Sequence, residues 1–359
     1  MRLSAELVTD LQPSAAWDAI AEEWDALADR VGADPFARPG WFAAHHRAFG
    51  AGALSVLTIR RDGALAALAP LERQRLRLAS PTSWHTPFYT PLADSPEALT
   101  ALANALVARA RPQLELSFVV DDTATMAALR AAAVTARCRS RTYVLERCPY
   151  VVLDGGVNAY EQRLTGKRRA NLRRLSRRLE DRGRVEVTVH TGPDDLDDLL
   201  DEGFAVEASG WKGAEGTGTA ILHEPATERF YREVGGWAAG RGWLRLAFLR
   251  LDGRALAFDF AIEAGGVHYL LKTGYLAEER SAAPGVLLRR AMLERAFDEG
   301  LRRYEFLGDH VDWKREWTDD AHPAMRLTAF TATPAGRVGW LVWAYARPVV
   351  RRLQAALRR

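Results

Sequence analysis

Two segments of the chain share one pattern of apolar runs around a polar turn. In each of them an apolar run leads into an Asp-Gly pair, Asp62-Gly63 or Asp252-Gly253, and a second apolar run follows. This arrangement is a strong signal for a β-hairpin, because Asp and Gly tolerate the positive φ angles of a tight turn. Asp252 lies 190 residues after Asp62. We therefore predict hairpins at corresponding places in two similar units.

A second feature repeats at nearly the same spacing. Pro96 opens a helical pattern that closes into the strand-like segment 114–118, and Pro284 opens another helical pattern that closes into the segment 302–306. Proline is favoured in the first turn of a helix, since its missing N–H would be unpaired there. Pro284 lies 188 residues after Pro96. The hairpin and the Pro-opened helix recur in the same order, which predicts a duplicated unit. Each unit consists of a hairpin, a third strand, a helix that begins with proline and a further strand.

The second unit carries the clearer pattern of elements. Its apolar and polar residues predict strands at 243–251, 254–263, 267–273 and 303–308. Helical periodicity predicts helices at 194–209, 226–240 and 284–300, the last with Gly300 as its stop. Elements in this order predict an α/β fold, in which a mixed sheet has helices on both faces.

The segment 161–183 has the pattern of a basic amphipathic helix. Leu164, Leu172, Leu175 and Leu179 fall on one stripe. Around the stripe lie nine basic residues: Arg163, Lys167, Arg168, Arg169, Arg173, Arg174, Arg177, Arg178 and Arg182. Such a helix either covers an apolar face while its charges face water, or meets a polyanion.

The last segment, 333–359, is predicted to be a basic amphipathic C-terminal helix. Its aromatic run 339–346 is followed by the arginines Arg347, Arg351, Arg352, Arg358 and Arg359. The run is too short to span a bilayer. Aromatic and Arg side chains suit a membrane surface, so we expect either peripheral membrane contact or packing back on the domain.

Composition narrows the class of protein. The 359 residues suit two domains, which we place at 1–150 and 151–332. The net charge of +3 argues against a strongly basic nucleic-acid binder. The two cysteines, Cys138 and Cys148, lack zinc-ligand spacing, and no metal site is predicted. Without a signal peptide or spanning segment, we expect a cytoplasmic protein, or one peripheral to the inner face of the membrane.

Lysine is rare in this chain and is confined to its second half. Of the 49 basic residues only four are lysines: Lys167, Lys212, Lys272 and Lys314. A compact ammonium differs from a planar guanidinium where a side chain enters a tight pocket or meets a phosphate. We predict that these lysines bind substrate, together with Arg168, Trp211 and Trp313.

The motifs of the second half resemble one known family. They are Lys167-Arg168-Arg169-x-Asn171, Ser209-Gly210-Trp211-Lys212-Gly213, Leu271-Lys272-x-Gly274-Tyr275, Pro284-Gly285-x-Leu287-Leu288, and Phe306-Leu307-Gly308-Asp309 with Trp313-Lys314. In this order they resemble the CelD/BcsL-type acetyltransferases of the GCN5-related N-acetyltransferase (GNAT) superfamily, which are built like the FemABX peptidyltransferases from two such folds in tandem. The resemblance covers about 160–320. It implies tandem GNAT-like folds, the first of them degenerate.

The resemblance also implies a co-substrate, acyl-CoA, with acetyl or longer chains. In this superfamily the start of the long helix holds the phosphates through backbone N–H groups and the helix dipole. Here that place is occupied by Ala283, Pro284, Gly285, Val286 and Leu287, with a single glycine and a proline. In the first unit Ser95-Pro96-Glu97 puts a carboxylate at the corresponding place, so we expect donor binding only in the second unit.

Acyl transfer needs a base for the attacking group, stabilisation of the oxyanion and a leaving thiolate. Asp309 and His310, at the end of the last strand, are the candidate bases, and Glu207 is a weaker one. Asp259 lies in an apolar strand and needs a partner if buried, for which Lys272 is the candidate. Tyr275 is the candidate to protonate the thiolate. The structural alternatives are a helix cap for Asp309, an ion pair for Asp259 and packing for Tyr275.

The predicted function is transfer of an acyl group from acyl-CoA to an amine or hydroxyl of a sugar, lipid or polysaccharide precursor. One alternative is a FemABX-like peptidyltransferase that draws on aminoacyl-tRNA, which the basic helix favours because it can follow an RNA backbone. The other is a non-catalytic binding scaffold that uses the basic helix and the C-terminal segment.

Overall fold

The computed structural model describes residues 7–13, 17–50, 52–121, 124–210, 212–213 and 217–346. Trp211 and residues 347–359 of the predicted C-terminal helix lie outside the described residues. The chain divides into two compact units. Unit 1 is Met1–Glu146 with Pro323–Arg359, and unit 2 is Arg147–His322.

The first part of the chain forms most of unit 1. Its elements are β1 (Leu7–Pro13), α1 (Trp17–Arg30), α2 (Pro39–Phe49), β2 (Ala53–Arg61), β3 (Ala64–Gln74), β4 (Arg77–Ala79), β5 (Leu92–Ala93), α3 (Pro96–Arg109), β6 (Gln113–Val120) and α4 (Ala124–Thr135). A long strand, β7 (Arg139–Val152), then leads into unit 2.

Unit 2 begins with two helices and continues through a second sheet. Its elements are α5 (Gly156–Arg163), α6 (Gly166–Glu180), β8 (Val185–His190), α7 (Leu196–Ser209), α8 (Pro225–Gly240), β9 (Leu244–Leu251), β10 (Arg254–Ala264), β11 (Val267–Tyr275), α9 (Pro284–Asp298), β12 (Arg303–Glu305) and α10 (Asp312–Arg315). Three elements remain. They are β13 (Ala321–Phe330), α11 (Pro334–Leu341) and a π-helical turn at Val342–Ala346.

The two sheets repeat one topology, which confirms the predicted tandem GNAT-like α/β fold. In unit 1 the strand order is β1-β2-β3-β4-β6-β13, with β5 also paired to β3. In unit 2 the order is β7-β12-β11-β10-β9-β8. Each sheet has one parallel pair, β4 with β6 or β11 with β12, and the other pairings along these orders are antiparallel.

The predicted hairpin turns have the same backbone geometry in both units. Asp62 and Asp252 each have a φ of 51°, and the glycines after them have φ angles of 84° and 86°. A residue with a larger side chain than Asp or Asn is disfavoured at such positions. The turn residues thus explain why this short pattern is the clearest trace of the duplication.

The stripe of leucines in the basic segment packs as predicted. Leu172, Leu175 and Leu179 of α6 are buried in the core of unit 2, and Leu164 is buried just before the helix. The arginines at 173, 174, 177 and 178 are exposed. The helix therefore covers an apolar face and presents its charges on the other side.

The sheet of unit 1 takes its last strand from the end of the chain. From Pro323 onwards β13 belongs to unit 1, where it pairs with β6. Unit 2 therefore ends ten residues before the boundary of 332 that the sequence suggests, and the aromatic C-terminal segment belongs to unit 1. Within the described ranges, no helix has the length and apolarity needed to cross a bilayer.

Candidate active site

The junction between β11 and α9 is the place where the acyl donor is predicted to bind. A 3₁₀ turn at Ala277–Ala282 separates the two elements. Ala283 is the N-cap residue of α9 with a φ of 52°, and among the described residues no side chain caps this helix start. Val286 donates its N–H to the carbonyl of Ala283 at 3.0 Å, so the N–H of Gly285 and the positive end of the helix dipole are what favour an anion from outside the protein.

The five residues predicted to hold the donor present their backbone rather than their side chains. Leu287 is buried in the core of unit 2, and Val286 packs against that core. Gly285 faces the ring of Tyr275, since a Cβ on Gly285 would lie 3.4 Å from Cδ1 of Tyr275. Tyr275 thus lies at the start of α9, the position that its predicted role requires.

Asp259 has a partner other than the predicted one. The carboxylate is fully buried and forms a bidentate pair with Arg289, at 2.7 and 2.8 Å, instead of meeting Lys272. The strand register gives the reason. Asp259 is opposite Thr273, while Lys272 is opposite Phe260. Because directly opposed residues share a face of a sheet, Lys272 lies on the other face from Asp259.

Arg289 connects α9 to three strands. Its guanidinium donates hydrogen bonds to Asp259 on β10, to Oγ1 of Thr273 on β11 at 3.2 Å, and to the hydroxyl of Tyr304 on β12. Burial lowers the pKa of Arg289, but the charge of Asp259 outweighs burial and the pKa is raised. The pair therefore stays ionised and fixes α9 on the sheet.

Lys272 lies on the opposite face, against α8. Its Nζ is 5.1 Å from the ring centroid of Tyr231, and in the described part of the chain it has no ion pair or hydrogen bond to a side chain. Burial and, to a lesser extent, the charge of Lys212 lower the pKa of Lys272 to about 8, while the charge of Glu207 opposes this shift.

Glu207 and Lys212 form a buried group beside Lys272. Lys212 donates to Oε1 of Glu207 at 2.9 Å and to the carbonyl of Thr273 at 2.8 Å. The other oxygen of Glu207 accepts from the backbone N–H of Ile221 at 2.8 Å. Both carboxylate oxygens of Glu207 thus accept hydrogen bonds. This arrangement fits a residue that positions Lys212 and the backbone at Ile221 better than it fits a general base.

The loop after β12 holds the other predicted residues. Oδ1 of Asp309 accepts from the backbone N–H groups of Arg147 and His310, at 3.3 and 3.0 Å. Nε2 of His310 lies 3.0 Å from the carbonyl of Thr318. Since a carbonyl only accepts, Nε2 carries the hydrogen, and Nδ1 has the lone pair that can accept a proton.

Lys314 is buried under the same loop. Its ammonium donates to the carbonyl of Leu307 and, at 3.0 Å, to that of Asp309. Leu307 and Gly308 have positive φ angles of 51° and 59°. Lys314 therefore holds a strained loop in place, and neighbouring Trp313 is partly exposed beside it.

Lys167 and Arg168 line an open cleft of about 960 Å³ at the start of α6. Arg168 lies 4.7 Å above the ring of Trp317 and pairs with Glu316 at 2.5 Å. Burial lowers the pKa of Arg168. The charged side chains of the lining are Arg163, Lys167, Arg168, Arg174, Arg315, Glu316, Asp319 and Asp320. The excess of basic groups favours an anionic ligand.

One family of known proteins matches the segment that carries this geometry. Residues 166–315 match the Acetyltransferase (GNAT) domain family. This segment is a GNAT acyltransferase domain. The chain is therefore an acyltransferase by class. No curated protein matches the chain.

Solved structures similar to this chain share its fold at low sequence identity. A structure of FemX has a TM-score of 0.59 at 12% identity, with 90% of this chain and 98% of that one covered. The C-terminal domain (DUF2156) described as that of a lysylphosphatidylglycerol synthetase from Agrobacterium fabrum has a TM-score of 0.52 at 15% identity, covering 90% and 96%. A protein of unknown function from Bacteroides thetaiotaomicron has a TM-score of 0.54 at 15% identity, covering 88% and 97%.

The GNAT domain also contains charged groups that the sequence analysis missed. Arg289 falls on the core stripe of α9 with Met292 and Ala296, a position where an Arg signals a buried partner. Nδ1 of His268 lies 2.8 Å from Glu263. Burial raises the pKa of Glu263, but His268 and nearby arginines outweigh it and bring the value to about 2.

In the portion of the chain that the structure describes, no three His, Cys, Asp or Glu side chains are grouped to hold a metal ion.

The Asp259–Arg289 pair yields a prediction about the stability of the GNAT domain. Arg289→Met should lower the free energy of unfolding by about 3–5 kcal/mol, because it leaves a buried carboxylate unpaired. The double variant Asp259→Leu with Arg289→Met should recover most of that loss, since no charge stays buried. Urea denaturation of the three proteins measures the effect. Equal losses in the single and double variants would contradict the ion-pair account.

Lys272 gives a pH-dependent prediction. Its pKa is about 8 in the folded chain against 10.5 as the ordinary value, so between these values the unfolded chain binds the proton and the folded chain does not. Stability should therefore rise with pH across this window. Lys272→Met should be more stable than the parent by about 1–3 kcal/mol near pH 7, and the difference should shrink towards pH 10.5. Urea denaturation as a function of pH measures it.

The exposed Lys167 supplies the control for this series. Lys167→Met should differ from the parent by an amount that does not change over the same pH range. A Lys272→Met difference that is equally constant would show that Lys272 titrates as an ordinary solvated lysine.

Proposed function

We propose that the GNAT domain transfers an acyl group from acyl-CoA to an amine or hydroxyl of a sugar, lipid or polysaccharide precursor, as in the CelD/BcsL-type family. The observation that carries this proposal is the uncapped start of α9 inside the segment that matches the GNAT family. We also propose the cytoplasm as its compartment, because both cysteines are free thiols.

The corresponding helix of unit 1 supports donor binding in unit 2 alone. In α3 the hydroxyl of Ser95 accepts the N–H of Ala98 at 3.2 Å, and Glu97 adds a negative charge in the first turn. Both features oppose a phosphate there. Ala283 supplies neither a cap nor a charge at the start of α9.

The residues at the start of α9 fit the phosphates of acyl-CoA. Pro284 removes only an N–H that has no partner within the helix. Val286 and Leu287 donate their N–H groups to the carbonyl of Ala283, at 3.0 and 3.3 Å, so the N–H of Gly285 and the helix dipole are the groups that would bind an anion. Bound there, acyl-CoA would supply an activated thioester carbonyl. Tyr275, which contacts the same turn, is proposed as the proton donor for the thiolate.

We propose His310 before Asp309 as the general base. The side-chain oxygen Oδ1 of Asp309 already accepts two backbone N–H groups, which favours a role in organising the loop. The hydrogen bond from Nε2 of His310 to Thr318 leaves Nδ1 to accept the proton of an attacking amine or hydroxyl.

The substrate-binding residues are proposed from two places with basic side chains, Lys272 and the cleft at the start of α6. In the described part of the chain Lys272 forms no ion pair or hydrogen bond with a side chain, so an acceptor carboxylate or phosphate would be its natural partner. The basic cleft with Lys167 and Arg168 suits a phosphate on the acceptor.

An aminoacyl-tRNA donor is the second candidate. The exposed arginines of α6 favour it, since an RNA backbone is recognised through phosphate contacts. The FemX and lysylphosphatidylglycerol synthetase structures share the fold, which is compatible with either donor. A non-catalytic scaffold is the third candidate.

Two substitutions of Ala283, by Asn and by Asp, test the donor site because the two side chains have nearly the same shape and differ in charge. Asn and Asp both tolerate left-handed backbone and both cap a helix, but only Asp adds a charge. We expect Ala283→Asp to weaken acetyl-CoA binding by about tenfold or more relative to Ala283→Asn, since a carboxylate at this helix start repels phosphate. Isothermal titration with acetyl-CoA, longer acyl-CoAs and free CoA measures it.

The same titration with aminoacyl-tRNA separates the candidates. Binding of tRNA that weakens steeply with salt, without binding of any CoA species, would replace the proposal by the peptidyltransferase. Acetyl-CoA binding that Asp and Asn at position 283 change equally would place the donor elsewhere. If no donor binds, the scaffold is favoured.

A further inference from the structure

The C-terminal helix of the described chain is apolar on two opposite sides. One side packs on unit 1. The rings of Trp340 and Trp343 lie 5.9 and 6.0 Å from that of Phe330, and a Cβ on Gly339 would come within 3.1 Å of the same ring. Gly336 is buried there as well. This side is therefore docked closely and needs no further partner.

The other side is an exposed apolar stripe, formed by Val338, Leu341, Val342 and Tyr345. Their exposed fractions are 60%, 51%, 53% and 68%. The spacing of three, four and seven residues from Val338 places them on one face of the helical segment. From Val338 to Ala346 the sequence has no charged residue. A helix that faced only water on this side would carry polar residues there.

The sequence that contains and follows the stripe carries charge of one sign. From Thr333 to the last residue the sequence contains no Asp, Glu or Lys and the six arginines Arg337, Arg347, Arg351, Arg352, Arg358 and Arg359. Arginine side chains reach sideways from an apolar surface and pair with phosphate. Aromatic residues beside them suit the boundary between headgroups and acyl chains.

We propose that this stripe, together with the arginines that flank and follow it, binds the surface of a membrane that contains anionic phospholipids. The apolar side chains enter the boundary of the acyl chains, and the arginines contact lipid phosphates. No spanning segment is needed, and the docked side of the helix ties unit 1 to the surface. This inference does not depend on the acyl donor or acceptor.

A second copy of the chain fits this surface less well. Each copy carries six arginines and no acidic residue from Thr333 to the last residue, so two copies packed through the stripe would join segments of like charge. Like charges placed opposite one another disfavour such an interface, whereas an anionic membrane complements them.

Sedimentation of the full chain with vesicles tests the proposal. We expect binding to phosphatidylcholine vesicles that contain phosphatidylglycerol, weak binding to phosphatidylcholine alone, and loss of binding at high salt. Val338→Gln with Leu341→Gln should weaken binding to the anionic vesicles by about tenfold or more, because it removes apolar surface that enters the bilayer. Arg351→Gln with Arg352→Gln should remove much of the preference for anionic vesicles.

The chain offers a matched control for the stripe. Leu76 and Val134 are exposed apolar residues of unit 1 outside the stripe, with exposed fractions of 71% and 74%. Leu76→Gln with Val134→Gln should leave vesicle binding within about twofold of the parent. Thermal unfolding of each variant checks that the fold is kept.

Three results would overturn the proposal. The first is no binding to anionic vesicles by the parent chain. The second is binding that the Val338 and Leu341 substitutions and the control Leu76 and Val134 substitutions reduce equally. The third is a dimer in sedimentation velocity that only the Val338 and Leu341 substitutions disrupt, which would assign the stripe to a second copy.

Discussion

The buried pair of Arg289 and Asp259 is the constraint on which unit 2 depends. Both side chains are almost fully inaccessible, so each charge needs the other, and separating them would leave an ion without compensation. Because Arg289 is on α9 and its partners are on three strands, the pair fixes how the helix lies across the sheet. It thereby also holds the first turn of α9 beside the end of β11, where Tyr275 packs against Gly285.

The two units share one topology, but the starts of their corresponding helices, α3 and α9, differ. Both units place a Pro-opened helix before the strand that forms the parallel pair, but the two helix starts differ in charge and capping. In unit 1, the hydroxyl of Ser95 accepts a first-turn N–H of the helix, and the carboxylate of Glu97 complements the positive end of its dipole. In unit 2 the corresponding place lacks both groups, so the same backbone arrangement becomes a place for an external anion. A few side chains thus separate a structural unit from the proposed donor-binding unit.

Local signals predicted the fold well. The Asp-Gly turns, the prolines at helix starts and the leucine stripe of α6 each depend on a few neighbouring residues, and all are confirmed. The partner predicted for Asp259 was wrong, because it depends on strand register: Lys272 is one residue away from Thr273, the residue opposite Asp259, and therefore lies on the other face of the sheet. The return of β13 to unit 1 was also missed, since pairing between strands so distant in sequence leaves no local pattern. The assignment of catalytic roles stays a prediction.

Hydrogen–deuterium exchange of the full chain with and without acetyl-CoA tests the central claim most directly, namely that the start of α9 is the donor site of the GNAT domain. The account predicts slower exchange on ligand binding in peptides that cover the end of β11 and the first turns of α9, because phosphates would accept from these N–H groups. Peptides from the start of α3 should not change. Protection at α3, or none at α9 while acetyl-CoA is bound, would contradict the account.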